Sequence, residues 1–169
     1  DIERERVIEP STSAWSPPIV LKKNDGSTYF CIHYRKLNAI TTKDSYPLPR
    51  MDDTLDAMAG STWFPTLDLK SGYWQEEMDP VDEEKTAFTA ELGLWKFTIM
   101  PFGLCNAPAT FECLIERVLD GLPWLCLLYL DGILIHAKTF QIELDHLSQV
   151  FKKSLWKANL KLNPKCTLF

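Results

Sequence analysis

Two apolar stretches near the start of the chain are separated by a short polar turn. Residues 19–23 and 29–32 flank the segment 24–27, which contains Asp25-Gly26. An Asp-Gly step between apolar runs is a strong signal for a tight β-hairpin. The pattern predicts a strand, a turn and a strand, preceded by a proline-containing extended leader over residues 1–18.

A second, more apolar hairpin is predicted at residues 125–137. Apolar residues continue there on both sides of the pair Asp131-Gly132, which is the pattern of a buried hairpin with a tight turn. Residues 62–69 are a strand candidate, and residues 85–98 can supply one or two strands around Gly93. Residues 79–84 are expected to form an acidic turn, and residues 161–169 begin another strand.

Three helices are predicted from apolar residues spaced three and four apart. The first covers about 50–59 and ends before Gly60, which suits the left-handed cap position. The second starts at Asn106, a favourable N-cap, and ends at Gly121. The third covers 140–158, with Asn159 as a left-handed cap. The residues expected to face inward are Met51, Leu55 and Met58; Phe111, Leu114, Ile115, Val118 and Leu119; and Leu144, Leu147, Phe151, Leu155 and Ala158.

The order of these elements predicts the fold class. From residue 62 the order is strand, strands, helix, hairpin, helix and strand. Helices packed on one face of an antiparallel sheet give an α+β fold, and the order resembles the split βαβ (ferredoxin-like) pattern.

Composition excludes several protein classes. The chain has 169 residues, of which 46% are hydrophobic and 24% charged, as in an ordinary globular domain. Its longest apolar stretch, residues 122–130, is far shorter than the roughly 20 residues that cross a bilayer. Residues 1–6 lack the apolar core of a secretory signal. The five cysteines have no C-x-x-C spacing, so we expect reduced thiols in an intracellular protein, with no membrane association and no zinc site.

The net charge of −5 argues against a nucleic-acid partner, because phosphate binding usually leaves a basic footprint. The lysines, however, are concentrated in two clusters. The second cluster has two possible interpretations, a local basic groove on an acidic domain and a solvated helix face. These clusters are Lys22 and Lys23, and Lys152, Lys153, Lys157, Lys161 and Lys165.

Two carboxylates stand in apolar surroundings. Asp68 ends the run 67–69, and Asp131 lies at the tip of the second hairpin. A buried carboxylate needs a partner, and two neighbouring carboxylates can hold Mg²⁺ for phosphoryl transfer. Taken singly, each also fits strand-end or turn chemistry.

Six blocks change that judgement because they occur together and in order. They are FCIHYRKLN at 30–38, LDLKSGY at 67–73, KTAF at 85–88, MPFGLCNAPATF at 100–111, YLDG at 129–132 and LKLNPKC at 160–166. The set resembles the reverse transcriptases of gypsy-type LTR retrotransposons, from about residue 8 to residue 169.

The resemblance implies roles for individual residues. Asp68 and Asp131 match catalytic, metal-binding aspartates, with the Leu69 backbone carbonyl as a further ligand for Mg²⁺ or Mn²⁺. Tyr73 matches the ring that excludes a ribose 2′-hydroxyl; otherwise it is a core aromatic residue. Lys23 matches a lysine on the incoming triphosphate; otherwise it is a solvated turn lysine. Phe102 and Gly103 match the floor of the nucleotide pocket.

The resemblance also implies an organisation and partners. Residues 1–61 would form the N-terminal part of the fingers, and residues 62–169 the palm, with a second fingers segment at about 79–100. Thumb, connection and RNase H regions are absent from this chain. The implied partners are an RNA or DNA template with its primer, a dNTP and the rest of the Pol polyprotein. The implied location is the cytoplasm or a retroelement particle.

Three positions depart from the family pattern. Gly132 replaces the second aspartate of the Tyr-x-Asp-Asp box, so one of three carboxylates is missing and metal affinity should fall. Tyr29 replaces an arginine and cannot form a bidentate fork to phosphate. His33 replaces an aspartate whose role we take to be structural.

Three hypotheses follow. The first is an RNA-directed DNA polymerase domain with active or residual chemistry. The second is a catalytically inactive relic used as a binding or scaffold module. The third is a palm-type nucleotidyl cyclase, against which the blocks at 34–38 and 101–108 argue. We expect little or no activity from this chain acting alone, because a thumb is needed to hold primer and template.

Overall fold

The computed structural model describes residues 7–24, 27–46, 58–90, 93–122, 125–129 and 132–163. The side chains of residues 20–24, 27–31, 129, 153 and 154 lie outside this description. Most of the helix predicted at 50–59 also lies outside it. Gly60, expected at the end of that helix, has the left-handed φ of +80°.

Strands and short helices alternate along the described ranges. The strands are β1 (Ile8–Pro10), β2 (Ile19–Asn24), β3 (Ser27–Ile32), β4 (Thr66–Asp68), β5 (Phe88–Ala90), β6 (Gly93–Phe97), β7 (Cys126–Tyr129) and β8 (Gly132–Ile135). The α-helices are α1 (Arg35–Ile40), α2 (Pro80–Glu83), α3 (Ala107–Val118) and α4 (Phe140–Gln149). Two 3₁₀ helices cover Gly72–Gln75 and Glu84–Thr86, and a π-helix covers Val150–Leu155.

The chain forms two compact units. The first contains Asp1–Asp44 and Tyr73–Ala107, and the second contains Ser45–Gly72 and Pro108–Phe169. All described strand pairs are antiparallel. Together with the short helices this gives the α+β class that the sequence predicted.

The first unit holds a three-stranded sheet, in the order β1-β6-β5, and the hairpin β2-β3. Its core is a cluster of buried side chains in which the rings of Phe88 and Phe97 lie 5.2 Å apart. The sequence predicted the hairpin and the strands around Gly93. It placed residues 8–10 in an extended leader, whereas they pair with residues 95–97.

The second unit holds the sheet β4-β8-β7. An isolated bridge joins Leu69 to Leu162, so the segment around residue 162 lies beside β4 and extends the order to 162-β4-β8-β7. That order fits a split βαβ arrangement, with α3 connecting β4 to β7. Phe111 and Ile115 on α3, and Leu119 directly after it, are buried, as their spacing of four residues predicted.

Three elements differ from the expectation. The strand predicted at 62–69 is regular only over β4, with a separate bridge from Trp63 to Ala137. The predicted acidic turn is the one-turn helix α2, because the Asp79 carboxylate accepts a hydrogen bond from the Val81 N–H and Pro80 starts the turn. Asn106, predicted as an N-cap, uses its side chain to bond the segment 42–44. Its Nδ2 donates to the Thr42 carbonyl, and its Oδ1 accepts from the Asp44 N–H.

The predicted helix 140–158 is α-helical only to Gln149 and continues as a π-helix. Leu155 is buried, as expected. Leu144, Phe151 and Ala158 are exposed, and Glu143 and Val150 are buried in their place. Asn159 has a φ of 55° and ends the segment in the expected left-handed conformation. Among the described residues, no helix combines the length and apolar character that a membrane crossing requires.

Candidate active site

Asp68 lies at the end of β4 on the exposed face of the sheet in the second unit. Its neighbours Leu67 and Leu69 are buried, whereas Asp68 itself is exposed. In the register of β4 and β8, Asp68 lies opposite Gly132, and Leu67 lies opposite the buried Ile133. Opposite residues in an antiparallel pair place their Cβ atoms about 4.5–5.5 Å apart on one face. Any side chain at position 132 would therefore stand beside the Asp68 carboxylate.

The backbone around Asp68 is held by the segment 161–163. The Asn163 N–H donates to the Asp68 carbonyl at 2.8 Å, and the Lys70 N–H donates to the Lys161 carbonyl at 2.9 Å. Residues 161–163, the described part of the block at 160–166 that bonds this backbone, thus fix the position of Asp68. The sequence marked this block only as part of the family pattern.

The turn after Asp68 is tight. Ser71 and Gly72 both have positive φ, 59° and 35°, and the Gly72 N–H lies 3.4 Å from the Leu69 carbonyl oxygen. That bond is long, and a carbonyl oxygen has two lone pairs, so the Leu69 carbonyl keeps capacity for another partner.

Asp131 lies outside the described residues. Tyr129 and Gly132 pair across β7 and β8. Gly132, one of the three positions that depart from the family pattern, is the first residue of β8 and the register partner of both Tyr129 and Asp68.

The donor set can be tested against a divalent cation. Hard oxygen ligands are what Mg²⁺ prefers, and Asp68 is an exposed carboxylate. Within the described ranges, no three His, Cys, Asp or Glu side chains are arranged to hold a metal ion. The oxygen donors fit a divalent cation, with fewer carboxylates than a three-aspartate site has.

Tyr73 and Phe102 are in contact in the first unit. Tyr73 lies on the 3₁₀ helix Gly72–Gln75, and its ring centroid is 5.3 Å from that of Phe102. The ring centroid of Trp74 is 6.0 Å from that of Phe102. Phe102 remains half exposed. Backbone bonds from Met78 to Thr98 and from Met100 to Glu76 hold the two segments side by side.

Gly103 follows Phe102 with a φ of +99°, a conformation that side-chain-bearing residues rarely adopt. Asn38 holds this loop from two directions. Its Nδ2 donates to the Gly103 carbonyl at 2.8 Å, and its Oδ1 accepts from the Cys105 N–H at 3.0 Å. The buried Tyr34 donates its hydroxyl to the Thr86 carbonyl at 2.9 Å. The block at 30–38 therefore positions the loop 102–105 and the segment before β5.

Lys23 and Tyr29 lie on the hairpin β2-β3, in neighbouring pairs of its register: Lys23 opposite Thr28, and Tyr29 opposite Lys22. Their side chains lie outside the described part of the chain. His33 follows the hairpin, is half buried and donates its backbone N–H to the Pro18 carbonyl at 3.3 Å.

A cavity of about 650 Å³ lies in the first unit, between residues 14–18 of the leader and residues 33–37. Its lining includes an indole, an imidazole and three cations and contains no acidic residue. Lys85 is paired with Asp82, whereas Arg35 and Lys36 are exposed. His33 was singled out from the sequence as a departure from the family pattern, whereas this basic, partly aromatic cavity was not predicted.

Two titratable groups of the second unit, the buried Glu143 and the partly buried His136, were also missed. The Glu143 carboxylate is 2% exposed and accepts no hydrogen bond from the described residues. Burial raises its pKa, and His146 partly opposes that shift. Burial lowers the pKa of His136, and His146 adds to that shift. No spacing rule would have indicated Glu143, because helix periodicity placed an apolar residue inward at 144.

Comparison with known proteins identifies the family. Residues 21–169 match the family described as reverse transcriptase (RNA-dependent DNA polymerase). The chain is 42% identical, over 170 residues, to the retrovirus-related Pol polyprotein from transposon 297 of Drosophila melanogaster; the match covers 95% of this chain and 16% of that protein. It is 45% identical, over 112 residues, to an RNA-directed DNA polymerase homolog of Oenothera berteroana, covering 66% of this chain and 79% of that protein.

The fold matches a solved polymerase. A foamy viral protease-reverse transcriptase, solved in complex with double-stranded DNA, superposes with a TM-score of 0.89 at 27% sequence identity. The match covers 100% of this chain and 30% of that one. The chain thus spans about a sixth of the transposon 297 polyprotein and under a third of the foamy viral protein. It belongs to the reverse transcriptase family, in the group of gypsy-type LTR retrotransposons.

Proposed function

We propose that this chain is the fingers-and-palm part of a polymerase that transfers a nucleotide from a dNTP to a primer 3′-hydroxyl, and that its chemistry is impaired at positions 132 and 29. The observation that carries the proposal is the register of Asp68 opposite Gly132. A third carboxylate at position 132 would stand next to Asp68, but glycine supplies none.

Asp68, Asp131 and the Leu69 carbonyl would hold Mg²⁺ or Mn²⁺. Once bound, the cation would neutralise charge on the triphosphate and on the attacking and leaving oxygens. The protein's own contribution is the rigid placement of Asp68 by the segment 161–163. With two carboxylates in place of three, metal affinity should be lower, because affinity for hard cations follows ligand charge.

The nucleotide roles follow the same reasoning. The Tyr73 ring, supported by Phe102, would exclude a ribose 2′-hydroxyl, because a flat aromatic wall leaves no room for one more oxygen. Phe102 and Gly103 would line the nucleotide pocket, and Lys23 would contact the triphosphate. Tyr29 weakens that contact, because a phenol carries no positive charge and cannot grip phosphate through two parallel bonds.

The partners are an RNA or DNA template with its primer, supplied within a larger Pol polyprotein that adds a thumb and RNase H in the cytoplasm or a retroelement particle. The basic, partly aromatic cavity of the first unit supports a nucleic-acid partner despite the net charge of −5. We assign residues 1–61 and about 79–100 to the fingers and the remaining residues from 62 to 169 to the palm.

The test is primer extension on an RNA template with Mg²⁺ or Mn²⁺. The chain would replace the corresponding segment of the transposon 297 polymerase, whose own segment is the positive control. Three versions are compared: the native sequence, Gly132→Asp, and Gly132→Asp with Tyr29→Arg. We expect weak or no incorporation from the first and rising incorporation from the second and third.

A second candidate is a catalytically inactive module used for binding or as a scaffold, which Gly132, Tyr29 and the acidic charge favour. Incorporation by the native version would exclude it. Silence from all three versions, with an active positive control, would contradict the polymerase proposal and leave the family membership as ancestry.

A further inference from the structure

The segment after α4 exposes an unusually large aromatic surface. Trp156 is 85% exposed and Phe151 is 39% exposed. A tryptophan is among the costliest side chains to leave in water, because the hydrophobic penalty follows its apolar area. Lys152 and Lys157, each next in sequence to one of these aromatic residues, are exposed as well.

The π-helix Val150–Leu155 and the turn after it place these residues on successive turns of the segment. The Trp156 N–H donates to the Phe151 carbonyl at 3.0 Å, five residues back. Val150 and Leu155 are buried. The exposed residues of this segment include the aromatic Phe151 and Trp156 and the basic Lys152 and Lys157. We call these last four residues the aromatic–lysine surface.

The charge around this surface differs from that of the whole chain. The chain carries −5, yet residues 150–163 contain four lysines and no acidic residue. A patch of this kind is complementary to a polyanion. Single-stranded nucleic acids are recognised by aromatic rings on which bases stack, together with cations along the phosphates.

We infer that the aromatic–lysine surface binds single-stranded nucleic acid, with a base stacked on Trp156 and phosphates at Lys152 and Lys157. An interfacial membrane helix would need a wide apolar face over several turns, whereas the aromatic–lysine surface has two exposed aromatic residues. The inference rests on the proposed function for the choice of nucleic acid, and it adds a contact surface that the polymerase site does not include.

The test measures fluorescence anisotropy of a labelled oligouridylate mixed with the full chain and its variants. Trp156→Ala should weaken binding about tenfold, because stacking one base on an aromatic ring contributes on this scale. Lys152→Gln with Lys157→Gln should reduce the slope of log affinity against log salt by roughly 1.4, since each single-strand phosphate contact contributes about 0.7.

Matched controls come from the start of the same helical segment. Lys138 is exposed, and Phe140 is 54% exposed. Lys138→Gln and Phe140→Ala remove the same kinds of group and should leave affinity and salt slope unchanged. Circular dichroism of every variant should match that of the native chain, because the replaced side chains are exposed.

The outcomes separate this inference from the proposed function. Binding by the native chain that the surface variants retain in full would overturn the surface and leave the polymerase proposal standing. No binding by the native chain, or stronger binding to anionic phosphatidylserine vesicles than to the oligonucleotide, would also overturn it. The incorporation assay at positions 132 and 29 reads out the active site independently of Trp156.

Discussion

Asn38 is the residue whose importance is least apparent from its chemistry, because a neutral amide suggests neither catalysis nor binding. Its two hydrogen bonds hold the loop containing Phe102 and Gly103. Removing both should destabilise the fold by about 1–2 kcal/mol. We expect Asn38→Ala to lower the urea midpoint accordingly, while Lys43→Ala, at an exposed position of the same unit, stays within about 0.5 kcal/mol of the native protein. Equal effects from both would contradict this role.

Glu143 provides a pH-dependent test. Burial raises the pKa of Glu143 in the folded protein above its usual value. Glu143 therefore contributes most favourably to stability when it is protonated, below its unfolded pKa. That contribution is lost as pH rises through the folded pKa. Glu143→Gln removes the charge and should raise stability at pH 7 by about 1 kcal/mol, or about 2–4 °C in Tm. The gain should vanish near pH 4. Asp145→Asn, which alters an exposed carboxylate on the same helix, should show no such gain in thermal unfolding.

Gly132 tests the register at the active site. In the absence of metal, Gly132→Asp should be less stable than Gly132→Asn by about 0.5 kcal/mol, because like charges directly opposite on neighbouring strands repel. Added Mn²⁺ should reverse that order in thermal unfolding, because a cation between the carboxylates removes the repulsion. If Mn²⁺ stabilises both variants equally, the carboxylate at 132 does not face Asp68.

At the residue scale, the position of Asp68 was predictable from the sequence, whereas its role and those of the other site residues remain predictions. Asp68 was placed correctly at a strand end, because a carboxylate that follows an apolar run is stable where the strand reaches solvent. The burial of Glu143 was not predictable, since a carboxylate is normally placed outward and only tertiary packing reverses that.

Among the elements, the hairpins were predicted well and the last helix was not. Asp-Gly steps between apolar runs indicate both hairpins, so the strand pairs β2-β3 and β7-β8 follow from local chemistry. In the second hairpin Gly132 was predicted as a turn residue, but it is the first residue of β8. The inward face of residues 140–158 was predicted with a constant period of 3.6. The π-helix inserts a step of five residues between Val150 and Leu155, and no constant period can describe that change.

This difference gives a direct prediction. Leu155→Ala should cost about 2–4 kcal/mol, because Leu155 is 1% exposed and its loss leaves a cavity. Leu144→Ala should cost less than about 1 kcal/mol, because Leu144 is 44% exposed. Chemical denaturation of both variants measures the two values. The reverse ranking would mean that the regular α-helical face is correct.

At the scale of the whole molecule, each compact unit is built from two separate stretches of chain. The pairing of β1 with β6 joins residues 8–10 to residues 95–97. No local pattern encodes such a contact, and for that reason the sequence assigned β1 to an extended leader. The fold class was predictable because element order constrains it, whereas the long-range partners were not.

Whole-molecule charge leads to a further prediction. The affinity for single-stranded RNA should fall with salt, and a plot of log affinity against log salt concentration should have a slope of magnitude roughly 3. This value assumes that Arg35, Lys36, Lys152 and Lys157 each contribute about 0.7. Titrations at several salt concentrations measure it. A slope near zero would show that the local basic surfaces bind no phosphate and that the net charge of −5 determines how the chain interacts with RNA.

The register of Asp68 opposite Gly132 also bears on the history of this sequence. Glycine codons ending in a pyrimidine become aspartate codons through a single transition at the second base. The strand pairing places position 132 opposite Asp68, so an aspartate at this position would lie beside Asp68 without a change in the backbone. With a glycine codon of that kind, one point mutation would place an aspartate at position 132 opposite Asp68, and the resulting chain would still have Tyr29 and His33.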